Sequence, residues 1–211
     1  MIFYANALSS YSAKVRIVLA VKGIAVEELA PPGGYRSADY RAVVPMGTLP
    51  AIRIGDWVLS ESEAINEYLE ERYPDPAMMP ADLQLRARVR FLCRFHDLYL
   101  EPRVRALFPL VKSAQRDPSE VDALRAALLQ RIDQLASWVQ PQPWLLTPQI
   151  SLADCGPLVN LWLAVELMQA CGQPINLPPV LRRWLDMAAD DAAVAKALDP
   201  WRAATRNWIA A

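Results

Sequence analysis

One histidine and three cysteines in 211 residues leave little material for a metal or disulfide site. Cys93, Cys155 and Cys171 are scattered, odd in number and without a C-x-x-C pair, which argues against disulfides and structural zinc. The single histidine, His96, makes no metal site without carboxylate or thiol partners. We therefore expect no metal cofactor.

The sequence also lacks an excess of charge and a long apolar run. Its 22 basic and 23 acidic side chains give a net charge of −1, so no global field recruits nucleic acid. No signal peptide is visible at the N-terminus. The most apolar later segment, 158–168, is interrupted by Asn160 and Glu166 and is too short to cross a bilayer. We expect a cytoplasmic protein without nucleic-acid or membrane partners.

What the sequence does contain is a dense motif from Val44 to Tyr68. Pro50 removes a backbone donor where a short strand begins, so Leu49 can offer its main chain to a partner other than a sheet neighbour. An X–Pro bond at such a tight entry is also a position where cis peptides occur. The helix start at 60–63 offers free amides and hydroxyls to a carboxylate. The motif therefore predicts a site for a small acidic peptide.

Hydrophobic periodicity predicts a mixed sheet with helices on its faces, in the order β-α-β-α-β-β-α. The predicted elements are 2–5, 12–22, 25–29, a helix capped by Ser37 that ends at Val43, 51–54, 57–59 and 61–72. Prolines then interrupt the pattern, and only helical periods follow. We predict an α/β domain at 1–75, a linker at 76–80 and an all-α domain at 81–211.

Two Ser-x-x-acid motifs predict capping boxes at helix starts. One pairs Ser60 with Glu63, and the other pairs Ser151 with Asp154. In a capping box the serine hydroxyl and the acidic side chain each accept a bond from the other residue's amide. The two motifs are therefore expected to play the same structural role.

Four segments, in this order and spacing, resemble the glutathione S-transferase family: SSYSAKVRIVLAVKGI (9–24), VPMGTLPAI (44–52), LSESEAINEYLEERYP (59–74) and SLADC (151–155). The resemblance implies a thioredoxin-like N-terminal domain that binds glutathione, and an all-helical domain that forms the second-substrate pocket. It also implies a homodimer. The serine stretch is similar to the zeta class, whose corresponding stretch carries Cys where this chain has Tyr11.

Ser9 and Ser10 are the candidate catalytic residues, and alignment with serine-type members places Ser9 at the catalytic position. A hydroxyl donor near the positive end of a helix dipole favours the thiolate of glutathione. Either serine could instead serve only as a helix cap.

The resemblance also assigns the residues that bind glutathione. In the family, the positions of Glu61 and Ser62 hold the γ-glutamyl ammonium and carboxylate respectively. Leu49 pairs its backbone with the cysteinyl unit, and Pro50 supports the bend. Thr48 is a departure, because relatives often carry a longer Lys or Gln there.

In the second domain, Tyr99 and Arg103 are candidates for the substrate pocket. Arg86, Arg90 and Arg94 recur every four residues and form a basic stripe, which is typical of a solvated face or an interface.

The resemblance predicts a glutathione-dependent transferase or isomerase, whose thiolate adds to an electrophilic carbon. The product is either a thioether or an isomerised unsaturated diacid with glutathione released. Two segments, 11–27 and 67–88, are also similar to the stringent starvation protein A group, non-enzymatic regulators that bind RNA polymerase. That group lacks the serine found here at Ser9, which favours the enzyme.

Overall fold

A computed structural model describes residues 1–211, which form two compact units. The first unit comprises Met1–Met78 with Ala192–Thr205, and the second comprises Met79–Asp191 with Arg206–Ala211. The first contains a four-stranded sheet and the second is helical, so the predicted fold class is confirmed. The predicted domain limits stay a prediction, and they did not anticipate that the first unit includes part of the last helix. None of the helices has the length and hydrophobicity that a membrane span requires.

The first unit follows the predicted order of strands and helices. Its elements are β1 (Ile2–Tyr4), α1 (Ser10–Val21), β2 (Glu27–Leu29), α2 (Ala38–Val43), β3 (Ala51–Ile54), β4 (Trp57–Ser60) and α3 (Ser62–Arg72). Ser37 caps α2 as predicted, because its hydroxyl accepts a bond from the Tyr40 amide. Helix α1 begins two residues earlier than predicted, since Ser9 is its N-cap.

The sheet has the strand order β2-β1-β3-β4. β1 runs parallel to β2 and antiparallel to β3, which in turn pairs with β4 as a hairpin. A buried hydrophobic cluster in the first unit consists of Tyr4, Tyr40, Val44, Leu49 and Ala51. The core of the first unit therefore extends directly beneath the loop that precedes β3.

Helices make up the second unit and the C-terminal segment. They are α4 (Leu83–Phe95), a π-helical turn (His96–Leu100), α5 (Glu101–Arg105), α6 (Phe108–Val111), α7 (Pro118–Trp138), α8 (Leu152–Ala170), α9 (Pro179–Ala189) and α10 (Ala192–Ala210). α8 is the most buried helix and contacts α4, α5, α6 and α9. The π-helical turn packs closely on α8, because a Cβ atom on Gly156 would lie 2.5 Å from the His96 ring.

The start of α8 carries the capping box predicted for Ser151 and Asp154. Asp154 is fully buried and accepts bonds from the Ser151 amide at 2.9 Å and the Ser151 hydroxyl at 2.8 Å. It also accepts bonds from the Leu145 amide at 2.9 Å and the Trp184 indole at 3.2 Å. Burial raises the pKa of Asp154 to about 6, although these hydrogen bonds oppose the shift. This carboxyl group therefore organises the core of the second unit.

Candidate active site

The sheet register brings three loops to one edge of the first unit. Tyr4 pairs with Ala51, and Ala51 pairs with Ser60, so these residues lie in one row across the sheet. That row marks the end of β1, the start of β3 and the end of β4. The loops that carry Ser9 and Glu61 therefore begin at the same edge at which the loop that carries Thr48–Pro50 ends, as the predicted site requires.

Ser9 lies at the end of the first loop, where it caps α1. Its hydroxyl oxygen accepts a bond from the Ser12 amide at 3.1 Å. The Asn6 side chain fixes the loop by accepting bonds from the amides of Leu8 at 3.0 Å and Ser9 at 2.7 Å. Ser9 therefore caps α1, and its catalytic role stays a prediction. Because capping uses only the oxygen's lone pairs, the hydroxyl hydrogen is still available for donation.

Ser10 is the first residue of α1, is almost fully buried, and interacts within the chain. The first turn of α1 contains no acidic side chain, so nothing in that turn offsets the positive end of the helix dipole. Of the two candidate serines, half-buried Ser9 is the more accessible.

Two residues that support this loop were not anticipated from the sequence. Arg16 donates to the Asn6 carbonyl at 3.1 Å and pairs with Glu28. The buried Trp201 indole, from α10, lies 3.4 Å from the Leu8 carbonyl. Arg16 lies within the 9–24 segment, but its contact with the loop has no signal in that motif. Trp201 reaches the loop from a distant part of the sequence.

The second loop presents an unpaired length of backbone. The Leu49–Pro50 peptide bond is cis, an isomer that the sequence allowed. Neither the amide nor the carbonyl of Leu49 takes part in the hydrogen bonds of the chain. The Tyr40 hydroxyl donates to the Thr48 carbonyl at 2.8 Å, and burial raises the pKa of Tyr40 well above its usual range, so it stays a donor. The Thr48 hydroxyl is enclosed without a partner in the chain.

The third loop gives α3 an unusual start. Glu61, at the N-cap position, has a φ of 75° and a ψ of 113°, and no side chain caps the helix. The first main-chain bond runs from the Ile65 amide to the Glu61 carbonyl at 2.9 Å. The amides of Ser62, Glu63 and Ala64 therefore precede the helical ladder. A non-glycine residue in this region of φ costs energy and is a recurrent feature of ligand sites.

The capping box predicted for Ser60 and Glu63 is wrong. The Ser60 hydroxyl instead lies 3.8 Å from the sulfur of Met46. The Glu63 carboxylate forms a 2.6 Å ion pair with Lys14 of α1. The interaction with Lys14 therefore takes the place of the local cap, because the carboxylate is directed toward α1. Sequence reasoning missed this pair because its members lie far apart in the chain.

The candidates for the substrate pocket lie in the second unit. Tyr99 is half-exposed, stacks on Phe95 with ring centres 5.8 Å apart, and has the Arg131 guanidinium 5.5 Å from its ring centre. Arg103 is exposed on α5. Their role in a pocket stays a prediction.

The basic stripe on α4 is only partly a solvated face. Arg90 and Arg94 are exposed, but Arg86 turns back and donates to the Pro80 carbonyl at 2.8 Å. Arg86 therefore helps to fix the chain just before α4.

Comparisons with known proteins agree with this architecture. The family profile described as "Glutathione S-transferase, N-terminal domain" matches residues 3–77. A maleylacetoacetate isomerase of Pseudomonas aeruginosa is 30% identical over 92% of this chain and 92% of the relative. A stringent starvation protein A homolog of Pasteurella multocida is 32% identical over 79% of this chain and 76% of the relative.

The similarity extends to solved structures. A maleylacetoacetate isomerase of Methylobacterium extorquens AM1, with bound malonate and glutathione, is similar with a TM-score of 0.76 and 28% identity. The match covers 96% of this chain and 97% of that one.

A thioredoxin-like unit with a serine at the start of α1 and a helical second unit define the glutathione transferase-like class of enzyme. The chain belongs to the glutathione S-transferase family. The family resemblance inferred from the sequence is thereby confirmed.

Proposed function

We propose that this protein is a glutathione-dependent transferase or isomerase that activates the glutathione thiol at Ser9. The observation that carries the proposal is that all three loops meet the strands at a single edge of the sheet. That edge combines two helix N-termini with the unpaired backbone of Leu49. A tripeptide with a free carboxylate, an ammonium group and a thiol matches this combination of groups.

The γ-glutamyl end of glutathione binds at the start of α3. Its carboxylate accepts bonds from the Ser62 hydroxyl and the free amides of the first turn, where the helix dipole favours an anion. Its ammonium pairs with the exposed carboxylate of Glu61. The positive φ of Glu61 supports this assignment, since such backbone persists where the surrounding structure and function demand it.

The cysteinyl unit pairs with the second loop. The Leu49 amide and carbonyl bond to its backbone as a short added strand, and Pro50 maintains the bend. Thr48 is a candidate contact at this end of the site, and its enclosed hydroxyl would have to turn outward to reach the ligand. Because threonine is short, the contact does not extend to the far end of the tripeptide.

The chemistry depends on the charge state of the sulfur. A free thiol has a pKa of about 8.5, so most of it is protonated at neutral pH. The Ser9 hydroxyl donates to the sulfur while its oxygen continues to accept from the Ser12 amide. Together with the α1 dipole, this donation stabilises the thiolate.

The thiolate then adds to an electrophilic carbon of the second substrate, for which Tyr99 and Arg103 are candidate contacts. A new carbon–sulfur bond gives a stable thioether when it persists. If the addition is to a cis double bond, rotation and elimination return free glutathione and the trans isomer. The relatives named maleylacetoacetate isomerase support the second outcome, and those named glutathione S-transferase support the first.

We further propose that the protein is a cytoplasmic homodimer. The exposed arginines of α4, together with exposed Phe91, offer a mixed polar and apolar face for self-association. Light scattering at micromolar concentration should therefore give about twice the chain mass of 23.6 kDa.

The second candidate function is regulation of transcription, as in the stringent starvation protein A group. The 32% identity to such a homolog favours it. It requires no thiol activation, so the two functions differ in whether bound glutathione reacts.

Retention on immobilised glutathione, followed by a thiol-consumption assay with a small electrophile, separates these functions. We expect the parent protein to be retained and to consume thiol. The Glu61→Ala/Ser62→Ala variant should be neither retained nor active, and Ser60→Ala should behave as the parent. Failure of the parent to bind glutathione would exclude the enzyme and leave the regulator.

A further inference from the structure

Two buried ion pairs link α3 to the segment of α1, one from within α1 and one from Lys22, the residue that follows it. Lys14 and Glu63 are 2.6 Å apart, with 1% and 12% of their side chains exposed. Lys22 and Glu70 are 2.7 Å apart, with 0% and 11% exposed. The first pair lies in the N-terminal part of both helices, and the second lies near their C-terminal ends. Only the first pair is therefore close to the proposed glutathione site.

Glu63 has an alternative place for its carboxylate. It lies in the first turn of α3, where an acidic side chain is attracted to the positive end of the dipole. A carboxylate in this first turn can bend back toward the unbonded amides of Ser62, Glu63 and Ala64. Those amides are the groups that the γ-glutamyl carboxylate needs under the proposed function. An unrestrained Glu63 would therefore compete with the ligand and repel it.

The observed position of Glu63 removes this conflict. Its carboxylate is held by the Lys14 ammonium, and no side chain caps α3. The buried lysine thus neutralises a negative charge that lies one residue from Ser62. The amides of the first turn stay open although an acidic residue with the right spacing lies among them.

We propose that Lys14 is a positioning residue for glutathione, which keeps the Glu63 carboxylate away from the carboxylate-binding amides of α3. The inference rests on the proposed function. Lys14 does not touch the ligand in this scheme and acts only through Glu63. A simple structural link between the helices would instead need both partners of the pair equally.

The two ion pairs supply a matched experiment. Glutathione affinity at neutral pH is measured by calorimetry, and stability by urea unfolding, for the parent, Lys14→Met, Lys14→Met/Glu63→Gln, Glu63→Gln and Lys22→Met. Lys22→Met is the control, because it removes an equally buried ion pair with α3 far from the proposed site, together with the bonds from Lys22 to the Tyr73 and Pro76 carbonyls. Both lysine variants should be less stable than the parent, since each takes the lysine away from a largely buried carboxylate.

Glutathione affinity should distinguish Lys14→Met from Lys22→Met. Lys14→Met should weaken glutathione binding by at least about tenfold, because like charges then meet at one site. Lys14→Met/Glu63→Gln should recover most of that loss although the ion pair is still missing. Glu63→Gln and Lys22→Met should each change affinity by less than about threefold, which is under 1 kcal/mol.

Each result has a defined meaning. Equal weakening in Glu63→Gln and Lys14→Met, or no recovery in the double variant, would overturn the positioning role. If Lys14→Met does not fold, a tenfold loss in Glu63→Gln alone would still overturn it, and retained affinity would support it. A parent that binds no glutathione would refute the proposed function itself, whereas a parent that binds it and a Lys14→Met variant of equal affinity would refute only this inference.

Discussion

The starts of α3 and α8 have the same Ser-x-x-acid spacing but opposite structures. At α8, Ser151 and Asp154 exchange both bonds of a capping box and are buried. At α3, Glu63 is bonded to another helix and no side chain caps the amides. The Ser-x-x-acid motif therefore permits a capping box but does not ensure one, because the acidic side chain can bind a partner elsewhere in the fold. The helix that stabilises the core closes its own N-terminus, and the helix proposed to bind a ligand leaves it open.

The largest expected effect comes from opening the closed helix start. Asp154→Ala leaves the buried Leu145 amide and Trp184 indole without acceptors, which should lower the free energy of unfolding by about 3–5 kcal/mol. Urea unfolding measures this change. Ser60→Ala, in the motif that does not form a box, is the matched control and should stay within about 0.5 kcal/mol of the parent. Equal losses in the two variants would contradict the comparison.

Substitutions at the start of α3 should change glutathione affinity more than they change the free energy of unfolding. Glu61→Ala/Ser62→Ala removes charge-assisted contacts that should each contribute about 1.5–3 kcal/mol to glutathione affinity. Stability should change by less than about 1 kcal/mol, because neither side chain caps α3. Calorimetry and urea unfolding on the same samples test both statements. A variant that bound glutathione as the parent does would remove the basis for the carboxylate site.

The buried cap should also make stability depend on pH. Burial raises the pKa of Asp154 from 3.8 to about 6, so the folded state binds the proton more tightly than the unfolded chain. The stabilisation that comes from protonated Asp154 is fully present below the unfolded-state pKa of 3.8. It is lost as the pH rises through the folded-state pKa of about 6. Relative to Asp154→Asn, the parent should lose about 1 kcal/mol between about pH 5 and pH 7. Parallel stability curves for the two proteins would contradict the raised pKa.

A smaller effect is expected from relaxing the backbone of the open helix start. Glu61→Gly removes the conflict between a side chain and a φ of 75°, so the free energy of unfolding should rise by about 0.5 kcal/mol. Ala64 is an exposed position in the same turn. The Ala64→Gly variant should instead have a free energy of unfolding that is lower by about 1 kcal/mol. Urea midpoints distinguish the two signs. A loss in both variants would mean that Glu61 carries no strain.

Much of the first unit could be predicted because its signals are local. The turn at Gly55, the Ser37 cap and the cis bond before Pro50 each depend on a few adjacent residues. The capping box at Ser151 was predicted for the same reason. The loops at Leu49 and at 60–63 were predicted as a peptide site from their residues, and the resemblance added the ligand and the catalytic position of Ser9. The sheet register explains why the three loops share one edge.

The features that could not be predicted depend on contacts between distant segments. Lys14 meets Glu63 only because α1 packs on α3, and the sequence alone gave Glu63 a local role. The positive φ of Glu61 has no signal in its residue type, which rarely adopts that conformation. The contact of Trp201 with the Leu8 carbonyl was likewise not predictable, because the two residues lie near opposite ends of the sequence.

The central claim is that Ser9 stabilises the thiolate of bound glutathione. The most direct measurement is the thiolate absorbance of the complex against pH for the parent, Ser9→Ala and Ser10→Ala. The parent should titrate clearly below the free-thiol pKa of about 8.5, and Ser9→Ala should titrate higher while still binding glutathione. Ser10→Ala should shift less. A parent that titrates as free glutathione does, or a shift in Ser10→Ala with none in Ser9→Ala, would contradict the account.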